Sequence, residues 1–395
     1  MVYDFEDIRP YTEEEYPVVI KRIVSSKHLL DGIRKLKFPH APGFLKFPLN
    51  FFIKRFIKKQ LRDVHSRLEF QKKFVIGVLM NWVITKTTQG LSFSGAGDLK
   101  KDEAYLYITN HRDIVLDVAF LSCVLDRMGF STLEIAIGDN LMSNQFVEDL
   151  IRINRSFIVK RNLPPREQIT ASVKLSAYIN DTLSRGNSVW IAQREGRAKD
   201  GDDLTNPAVI KMIYLSRRKS GISFQEFING LNIIPVAISY EFDPLDNLKA
   251  WEIHHKESRG SHKKRSNEDL VSMFYGITGK KGRVHLSFGS PLRGDFENER
   301  AVAQALDDFI LNNYKLWPSA YIAWDELLTR FPEDDLPEGL PRNLRFPGEY
   351  TPEEKKAFLK RFKYLKPGVA RLALLTYARP LLKKLSPSAA AGDDQ

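Results

Sequence analysis

Short apolar segments that alternate with helical stretches are the feature that most restricts the fold of this chain. From about residue 90 onward, three segments have the spacing of helices, namely Val115–Arg127, Glu167–Arg185 and Ala301–Tyr314. Such an alternation is typical of an α/β domain. The predicted strands are Tyr105–Thr109, Leu133–Gly138, Phe157–Lys160, Val189–Ala192, Ile233–Tyr240 and Arg283–Phe288.

Positive charge is concentrated outside this region. The chain has a net charge of +11, and residues 20–73 alone carry +12, while residues 353–384 carry +8. Positive charge of this kind can serve to bind nucleic acid, to bind an anionic membrane or simply to keep a protein soluble. The pattern of apolar residues within the two basic flanks is needed to choose among them.

The N-terminal flank has the pattern of a basic amphipathic helix between Leu49 and Leu68. Apolar side chains, including Phe52 and Phe56, recur at helical spacing, and lysines and arginines take the other side. A similar mixture of rings and lysines recurs near Phe358 and Phe362. Such helices suit the surface of an anionic bilayer, although an ordinary surface helix packed on its own core has the same pattern. Nucleic acid is disfavoured because no recognition module accompanies the basic residues.

The sequence predicts neither a membrane-spanning helix nor a secreted protein. The longest strongly apolar segment, Phe74 to Ile84, is far shorter than the roughly 18 to 20 residues that cross a bilayer. The acidic N-terminus lacks the pattern of a secretory signal, and Cys123 is the single cysteine. We therefore expect a cytoplasmic protein that lies peripherally on the inner face of the membrane.

The most informative local feature is His111, which follows a predicted strand and precedes an apolar helix. A histidine titrates near neutral pH, and a nearby carboxylate can hold the imidazole in the tautomer that accepts a proton. Asp113 and Asp117 are both candidates for that carboxylate. The triplet His111-Arg112-Asp113 also occurs in protein kinases, but position 117 is not Asn and no Asp-Phe-Gly follows, which excludes a kinase.

Four sequence blocks appear in one order, each at the end of a predicted strand. They are NHRDIVLD at Asn110–Asp117, SFIVKR at Ser156–Arg161, WIAQREGRAKDG at Trp190–Gly201 and NIIPVAIS at Asn232–Ser239. Together they resemble the glycerolipid acyltransferase superfamily, whose bacterial members acylate glycerol 3-phosphate or lysophosphatidic acid. The resemblance covers roughly residues 90–300.

This resemblance implies a mixed sheet covered by helices and a reaction without a covalent enzyme intermediate. His111, oriented by Asp117, would remove the proton of an acceptor hydroxyl as the oxygen attacks an acyl thioester of coenzyme A or acyl carrier protein. Backbone amides near a helix start or a basic side chain would stabilise the oxyanion. The substrate-binding residues would be Lys160, Arg161, Glu195, Gly196 and Arg197.

Two departures from the family pattern affect these assignments. Five residues separate His111 from Asp117, one more than in the family, so Asp113 stays a candidate for the histidine's partner. The third block runs from Glu195-Gly196 directly into Arg197, and an alternative alignment on RAKDG would put Arg194 at the glutamate position. We favour Glu195-Gly196 because the turn needs glycine.

The sequence leaves several functions open within one predicted organisation. The acceptor is a glycerol 3-phosphate, a lysophosphatidate or a lyso-aminolipid, and a non-catalytic membrane-binding protein on the same fold is the alternative from another class. We expect neither a metal nor a cofactor, because His254, His255 and His262 lie in an irregular polar segment.

The predicted parts are an acidic tail (1–19), a basic membrane-contact region (20–89), the acyltransferase domain (90–300), a helical extension (301–350), a basic amphipathic segment (351–385) and a disordered tail (386–395).

Overall fold

The structure of the protein is a computed structural model that describes residues 3–38, 40–260, 268–332, 336 and 342–385, with the backbone alone for Leu36. The predicted disordered tail, residues 386–395, lies outside these ranges, as does His262.

One sheet of seven strands forms the centre of the described chain, in the order β1-β7-β6-β2-β5-β3-β4. The five strands β6, β2, β5, β3 and β4 run parallel, whereas β7 is antiparallel to β6 and β1 is parallel to β7. The predicted mixed sheet is therefore confirmed. The strands are β1 Thr88–Ser94, β2 Leu106–Thr109, β3 Glu134–Gly138, β4 Ser156–Val159, β5 Val189–Ala192, β6 Ile233–Tyr240 and β7 Gly282–Phe288.

Helices cover both faces of this sheet and extend beyond it. A π-helical segment, Phe70–Met80, joins α4 to α5 into one continuous helix. The helices are α1 Tyr16–Ser25, α2 Lys27–Lys37, α3 Lys46–Gln60, α4 Arg67–Glu69, α5 Asn81–Thr87, α6 Leu116–Arg127, α7 Gln145–Ile153, α8 Pro165–Ser184, α9 Pro207–Tyr214, α10 Phe224–Gly230, α11 Asp246–Arg259, α12 Glu268–Thr278, α13 Glu299–Asn313, α14 Pro318–Arg330, α15 Pro352–Leu359 and α16 Pro367–Leu385.

All six predicted strands are present, and β1 is the one that the sequence did not predict. β6 was the clearest prediction, because all eight of its residues are buried and its sequence is almost entirely apolar, as expected of a central strand covered on both faces. β1 is an edge strand whose side chains are mostly exposed. Its polar composition and Gly90 therefore give no apolar alternation that would reveal a strand.

The predicted basic helix is shorter than expected, because α3 ends at Gln60 and not at Leu68. A turn follows, and α4 begins after Ser66, whose hydroxyl accepts a hydrogen bond from the amide of Glu69 at 3.1 Å. A serine three residues before a glutamate is a common helix-start pattern. The prediction of one continuous helix is therefore wrong over residues 61–66, which separate α3 from α4.

Five phenylalanine rings project from the N-terminal flank into solvent. Each is more than half exposed, while Ile53 and Ile57 of α3 pack inward. We call these rings the phenylalanine patch; they are Phe44, Phe47, Phe51, Phe52 and Phe56.

The rings of the C-terminal basic segment are not available in this way. Phe358 and Phe362 are 1% and 2% exposed and belong to a core formed with helices α11, α14 and α16. The prediction that both flanks offer rings to a membrane is wrong for Phe358 and Phe362, because these two rings fill the interior of the protein. In the described part of the chain, no helix combines the length and the apolar character needed to cross a bilayer.

Candidate active site

A cavity of about 700 Å³ opens where the parallel strands β2, β3, β4 and β5 end. Ligands of open α/β sheets characteristically bind in the crevice at the carboxyl ends of the strands. His111, Arg161 and Arg197, which follow three different strands, all line this cavity. The structure also places Lys160, Glu195 and Gly196 on its wall, so that the predicted site residues other than the buried Asp117 share one cavity.

His111 is paired with Asp117 and not with Asp113. Its Nδ1 lies 2.9 Å from Asp117 Oδ2, and the imidazole is 14% exposed while the carboxylate is almost fully buried. Because a carboxylate only accepts hydrogen bonds, this contact fixes the proton on Nδ1 and leaves Nε2 as the nitrogen that can accept one. The geometry is therefore that of an oriented general base.

The carboxylate of Asp117 is held in place by four hydrogen-bond donors, of which the imidazole of His111 is one. Its Oδ2 accepts hydrogen bonds from the backbone amides of Arg112 and Asp113 at 2.7 and 2.9 Å, and its Oδ1 accepts one from the Tyr240 hydroxyl at 2.8 Å. A buried carboxylate with four donors has no freedom to rotate away from the imidazole. Asp117 occupies the first turn of α6, where its side chain leans back toward His111.

Asp113 serves the start of α6. Its Oδ1 accepts hydrogen bonds from the amides of Val115 and Leu116, both at 2.9 Å, and its Oδ2 is buried without a partner. Burial raises the pKa of Asp113, and the nearby charge of Asp117 raises it further. The two aspartates therefore have different roles, one on the histidine and one on the helix.

We expect Asp113→Asn to retain nearly the activity and the melting temperature of the parent protein. Asparagine caps helix starts about as well as aspartate, and a neutral amide resembles the protonated carboxyl that burial favours. Turnover and thermal unfolding measured side by side check this expectation. A loss of activity larger than that of the matching change at Asp117 would assign the histidine's partner to Asp113.

Arg161 and Glu195 form an ion pair across the cavity mouth. Arg161 Nη1 lies 3.0 Å from Glu195 Oε1, and the Arg161 amide donates to Asp139 Oδ2 at 3.2 Å. The guanidinium lies directly over Gly138 at the end of β3, where an added Cβ would stand 2.8 Å from the guanidinium carbon. Gly138 thus lets the arginine enter the cavity.

The turn after β5 brings three more predicted or alternative residues to the cavity. Gly196 has a φ of +72°, which favours glycine and agrees with the preference for the Glu195-Gly196 alignment. Arg197 lines the cavity with a buried Nη1 that makes no hydrogen bond within the protein. Arg194 also lines the cavity, and its Nη1 donates to the carbonyl of Asp202 at 3.5 Å. Within this turn, Arg197 is therefore a cation with a buried donor that the protein does not use.

Lys160 has a partner that the sequence did not suggest. Its Nζ donates to Asp7, a residue of the acidic N-terminal segment, and Lys174 Nζ donates to the other oxygen of the same carboxylate. Lys160 therefore lies on the cavity wall as predicted, but its charge is shared with Asp7.

Residues around the dyad that the sequence did not single out form a buried network. Arg112 donates to Asp203 at 2.5 and 2.9 Å, and the Asn110 side chain both donates to the carbonyl and accepts from the amide of Ile238 on β6. These contacts join the His111 turn to the β5–α9 connection and to β6. The arginine of the block NHRD was the signal in the sequence for this network, because an arginine that is buried requires a carboxylate partner. Nothing in the sequence identified Asp203 or Tyr240 as the partners.

Comparisons with known proteins show that part of this chain is similar to acyltransferases. A family model described as Acyltransferase matches residues 90–239. The glycerol-3-phosphate acyltransferase of Actinobacillus succinogenes is 24% identical over 239 residues, which cover 60% of this chain and 28% of that protein. The enzymes of the same name from Pasteurella multocida and Pseudomonas aeruginosa are 23% and 24% identical, and they cover 60% and 55% of this chain and 28% and 25% of their own lengths.

The extent of these matches limits what they say about the whole protein. The chain spans about a quarter of the length of these curated relatives. A solved structure of the signal recognition particle receptor FtsY from Elizabethkingia anophelis is 10% identical, covers 75% of this chain and 92% of that chain, and has a TM-score of 0.21. The matched segment contains His111, Asp117, Arg161 and Arg197, so these residues lie within the part of the chain that is similar to the Acyltransferase family.

Proposed function

We propose that the protein transfers a fatty acyl group from an acyl thioester to a hydroxyl of a glycerophosphate or lysophospholipid in phospholipid biosynthesis. The observation that carries this proposal is the His111–Asp117 pair on a cavity that is also lined by Arg197, whose Nη1 makes no hydrogen bond within the protein. A general base and a phosphate-matching cation within one cavity are what the acylation of a phosphorylated alcohol requires.

The proposed reaction follows from the placement of the imidazole. Nε2 of His111 takes the proton of the acceptor hydroxyl as that oxygen attacks the thioester carbonyl, and Asp117 stabilises the imidazolium. The tetrahedral intermediate then collapses, the carbon–sulfur bond breaks, and the proton passes to the thiolate. An ester and a free thiol result, and the residues of this chain suffice for each proton transfer without a metal or cofactor.

Four of the amides between Arg112 and Leu116 are already engaged, which affects the assignment of the oxyanion site. The amides of Arg112, Asp113, Val115 and Leu116 all donate to Asp113 or Asp117. Of the two sources expected from the sequence, we therefore favour a basic side chain of the cavity for the developing negative charge.

Arg161 and Arg197 are the residues that we assign to the acceptor's phosphate. The guanidinium presents a planar set of donors that matches phosphate oxygens, and Arg197 has one buried donor without a protein partner. Glu195 orients Arg161 through their ion pair. Apolar side chains on the same cavity wall offer a surface to the acyl chain, among them Ile158, Leu175, Val209 and Met212.

The acceptor is identified most directly by comparing cellular lipids. Cells that overproduce the protein should accumulate the acylated product and consume its precursor, as seen by mass spectrometry, while cells that overproduce His111→Ala should not. A product with a glycerophosphate core supports the proposal, and an acylated aminolipid would favour the lyso-aminolipid alternative. Identical lipid changes with both proteins would favour the non-catalytic membrane-binding alternative.

We further propose that the phenylalanine patch brings the cavity to an anionic membrane. Within α3, lysines and arginines surround the exposed rings, which is the arrangement of helices that lie in the bilayer interface. The patch belongs to the flank of residues 20–73, whose net charge is +12.

The electrostatic and the apolar components of this membrane binding should respond differently to salt. Binding to anionic vesicles should weaken but persist at high salt, because salt screens the lysines and not the buried rings. Phe47→Ser with Phe51→Ser should weaken the salt-resistant binding by roughly tenfold or more. Vesicle sedimentation measures both, with Ile169→Ser as an exposed apolar control outside the patch. Equal binding to neutral and anionic vesicles, or no binding at high salt, would contradict one of the two components.

A further inference from the structure

One wall of the cavity carries a cluster of two lysines around a carboxylate. Lys160 follows β4, Lys174 lies on α8, and Asp7 comes from the N-terminal segment. The two ammonium groups donate to different oxygens of the Asp7 carboxylate, and all three residues line the cavity. Their side chains are 35%, 25% and 41% exposed, so a ligand in the cavity can reach each of them.

The backbone that carries Asp7 is fixed to the edge of the sheet. The carbonyl of Ile8 accepts a hydrogen bond from the amide of Ile158 on β4 at 2.9 Å, and the Ile8 side chain is buried in the core. Arg152 donates to the carbonyl of Glu6 at 2.8 Å. The Asp7 side chain alone can therefore turn away from the lysines without disturbing the segment.

Asp7 stands in the place where an anionic ligand would be held. Partial burial raises its pKa, but hydrogen bonds and charge from the two lysines outweigh this effect and the pKa is lowered. An ionised carboxylate between two lysines leaves the cluster with a net charge of +1. Across the whole cavity lining, seven lysines and arginines face four aspartates and glutamates, so the cavity favours anions.

We infer that Lys160 and Lys174 form a second anion subsite, separate from Arg161 and Arg197, that takes a phosphate group of a substrate in competition with Asp7. A phosphate has more oxygens and more charge than a carboxylate, so it can replace Asp7 on both lysines. The exchange breaks only partly exposed ion pairs, which contribute little individually. This inference rests on the proposed function in one respect, namely that the ligand is the acyl donor or the acceptor.

Two subsites in one cavity would let the phosphates of donor and acceptor bind together. Coenzyme A carries a diphosphate and a 3′-phosphate, whereas glycerol 3-phosphate carries a single phosphate. With Arg161 and Arg197 assigned to the acceptor, the lysine subsite matches a phosphate of the donor. Because Asp7 competes for the two lysines, it determines how much negative charge a donor needs in order to occupy the lysine subsite.

The test is calorimetric titration of the full chain with coenzyme A, 3′-dephospho-coenzyme A and glycerol 3-phosphate, which needs no turnover. Asp7→Asn should lower the dissociation constant of the phosphate ligand by roughly three- to tenfold, and Lys174→Gln should raise it by a similar factor. Asp98→Asn and Lys211→Gln make the same charge changes at exposed positions outside the cavity lining and should have little effect. Thermal unfolding verifies that each variant is folded.

The ligand that responds identifies the source of the phosphate. A response to coenzyme A that is reduced for its 3′-dephospho form assigns the subsite to that phosphate, and a response to glycerol 3-phosphate assigns it to the acceptor. The inference is overturned if Asp7→Asn changes the dissociation constant of none of the three ligands, or if none of them binds at all. It is also overturned if the control variants change these constants equally. Failure of the proposed function would appear instead as normal binding without acyl transfer.

Discussion

His111→Ala should lower acyl transfer by roughly two orders of magnitude or more while the protein keeps its fold. The imidazole is the only group on the described cavity wall that pairs with a buried carboxylate through one nitrogen and leaves the other free to accept a proton. Its loss removes the base and leaves only the binding of the two substrates. Initial rates with purified protein measure the effect.

The fold of this variant can be checked independently of its activity. His111 also contributes its backbone carbonyl, which accepts a hydrogen bond from the amide of Ala198 at 2.8 Å, and this bond survives the substitution. Thermal unfolding and substrate binding should therefore stay close to those of the parent protein. A His111→Ala protein with near-normal turnover would show that another group takes the proton.

Asp117→Asn should reduce turnover by roughly a hundredfold with a modest change in stability. Two backbone amides donate to Oδ2, so the asparagine oxygen is expected at that position, facing His111, with the amide nitrogen toward the Tyr240 hydroxyl. The hydroxyl oxygen can accept from that amide, while the Tyr240 O–H loses its acceptor, which accounts for the modest change in stability. The variant keeps the tautomer of His111 but loses the negative charge that stabilises the imidazolium.

A matched set of variants separates charge from packing at this position. Asp113→Asn makes the same chemical change four residues earlier and should cost little, as argued above. Tyr240→Phe removes one donor to Asp117 and leaves the charge, so its loss of turnover should be smaller than that of Asp117→Asn. Rates and melting temperatures of the three variants decide the assignment. A large loss confined to Asp113→Asn would reverse it.

The sequence predicted those parts of the fold that depend on local patterns. β5 and β6 are apolar segments bounded by polar residues and turns, and their burial in the middle of the sheet follows from that composition. β1 could not be predicted in the same way, because an exposed edge strand stabilised by pairing with β7 needs no apolar pattern of its own. The end of α3 was missed because the apolar pattern continues past the turn.

The site was predicted where one short segment contains both partners and not where distant segments meet. His111 and Asp117 lie six positions apart, so the sequence could name Asp117 as a candidate, with Asp113 as the alternative, and the structure pairs His111 with Asp117. Tyr240 reaches Asp117 from 123 residues away, and Asp7 reaches Lys160 across 153 residues. Contacts of this kind depend on the order of the strands in the sheet, which the sequence pattern did not specify.

The central claim is that His111 catalyses transfer from a thioester to a hydroxyl within this cavity. Purified protein should be incubated with an acyl thioester and either glycerol 3-phosphate or a lysophosphatidate, with free thiol and new ester measured in the same samples. We predict equal amounts of thiol and ester with the parent protein and almost none of either with His111→Ala. Thiol release without ester, or the same yield of ester from both proteins, would contradict the account.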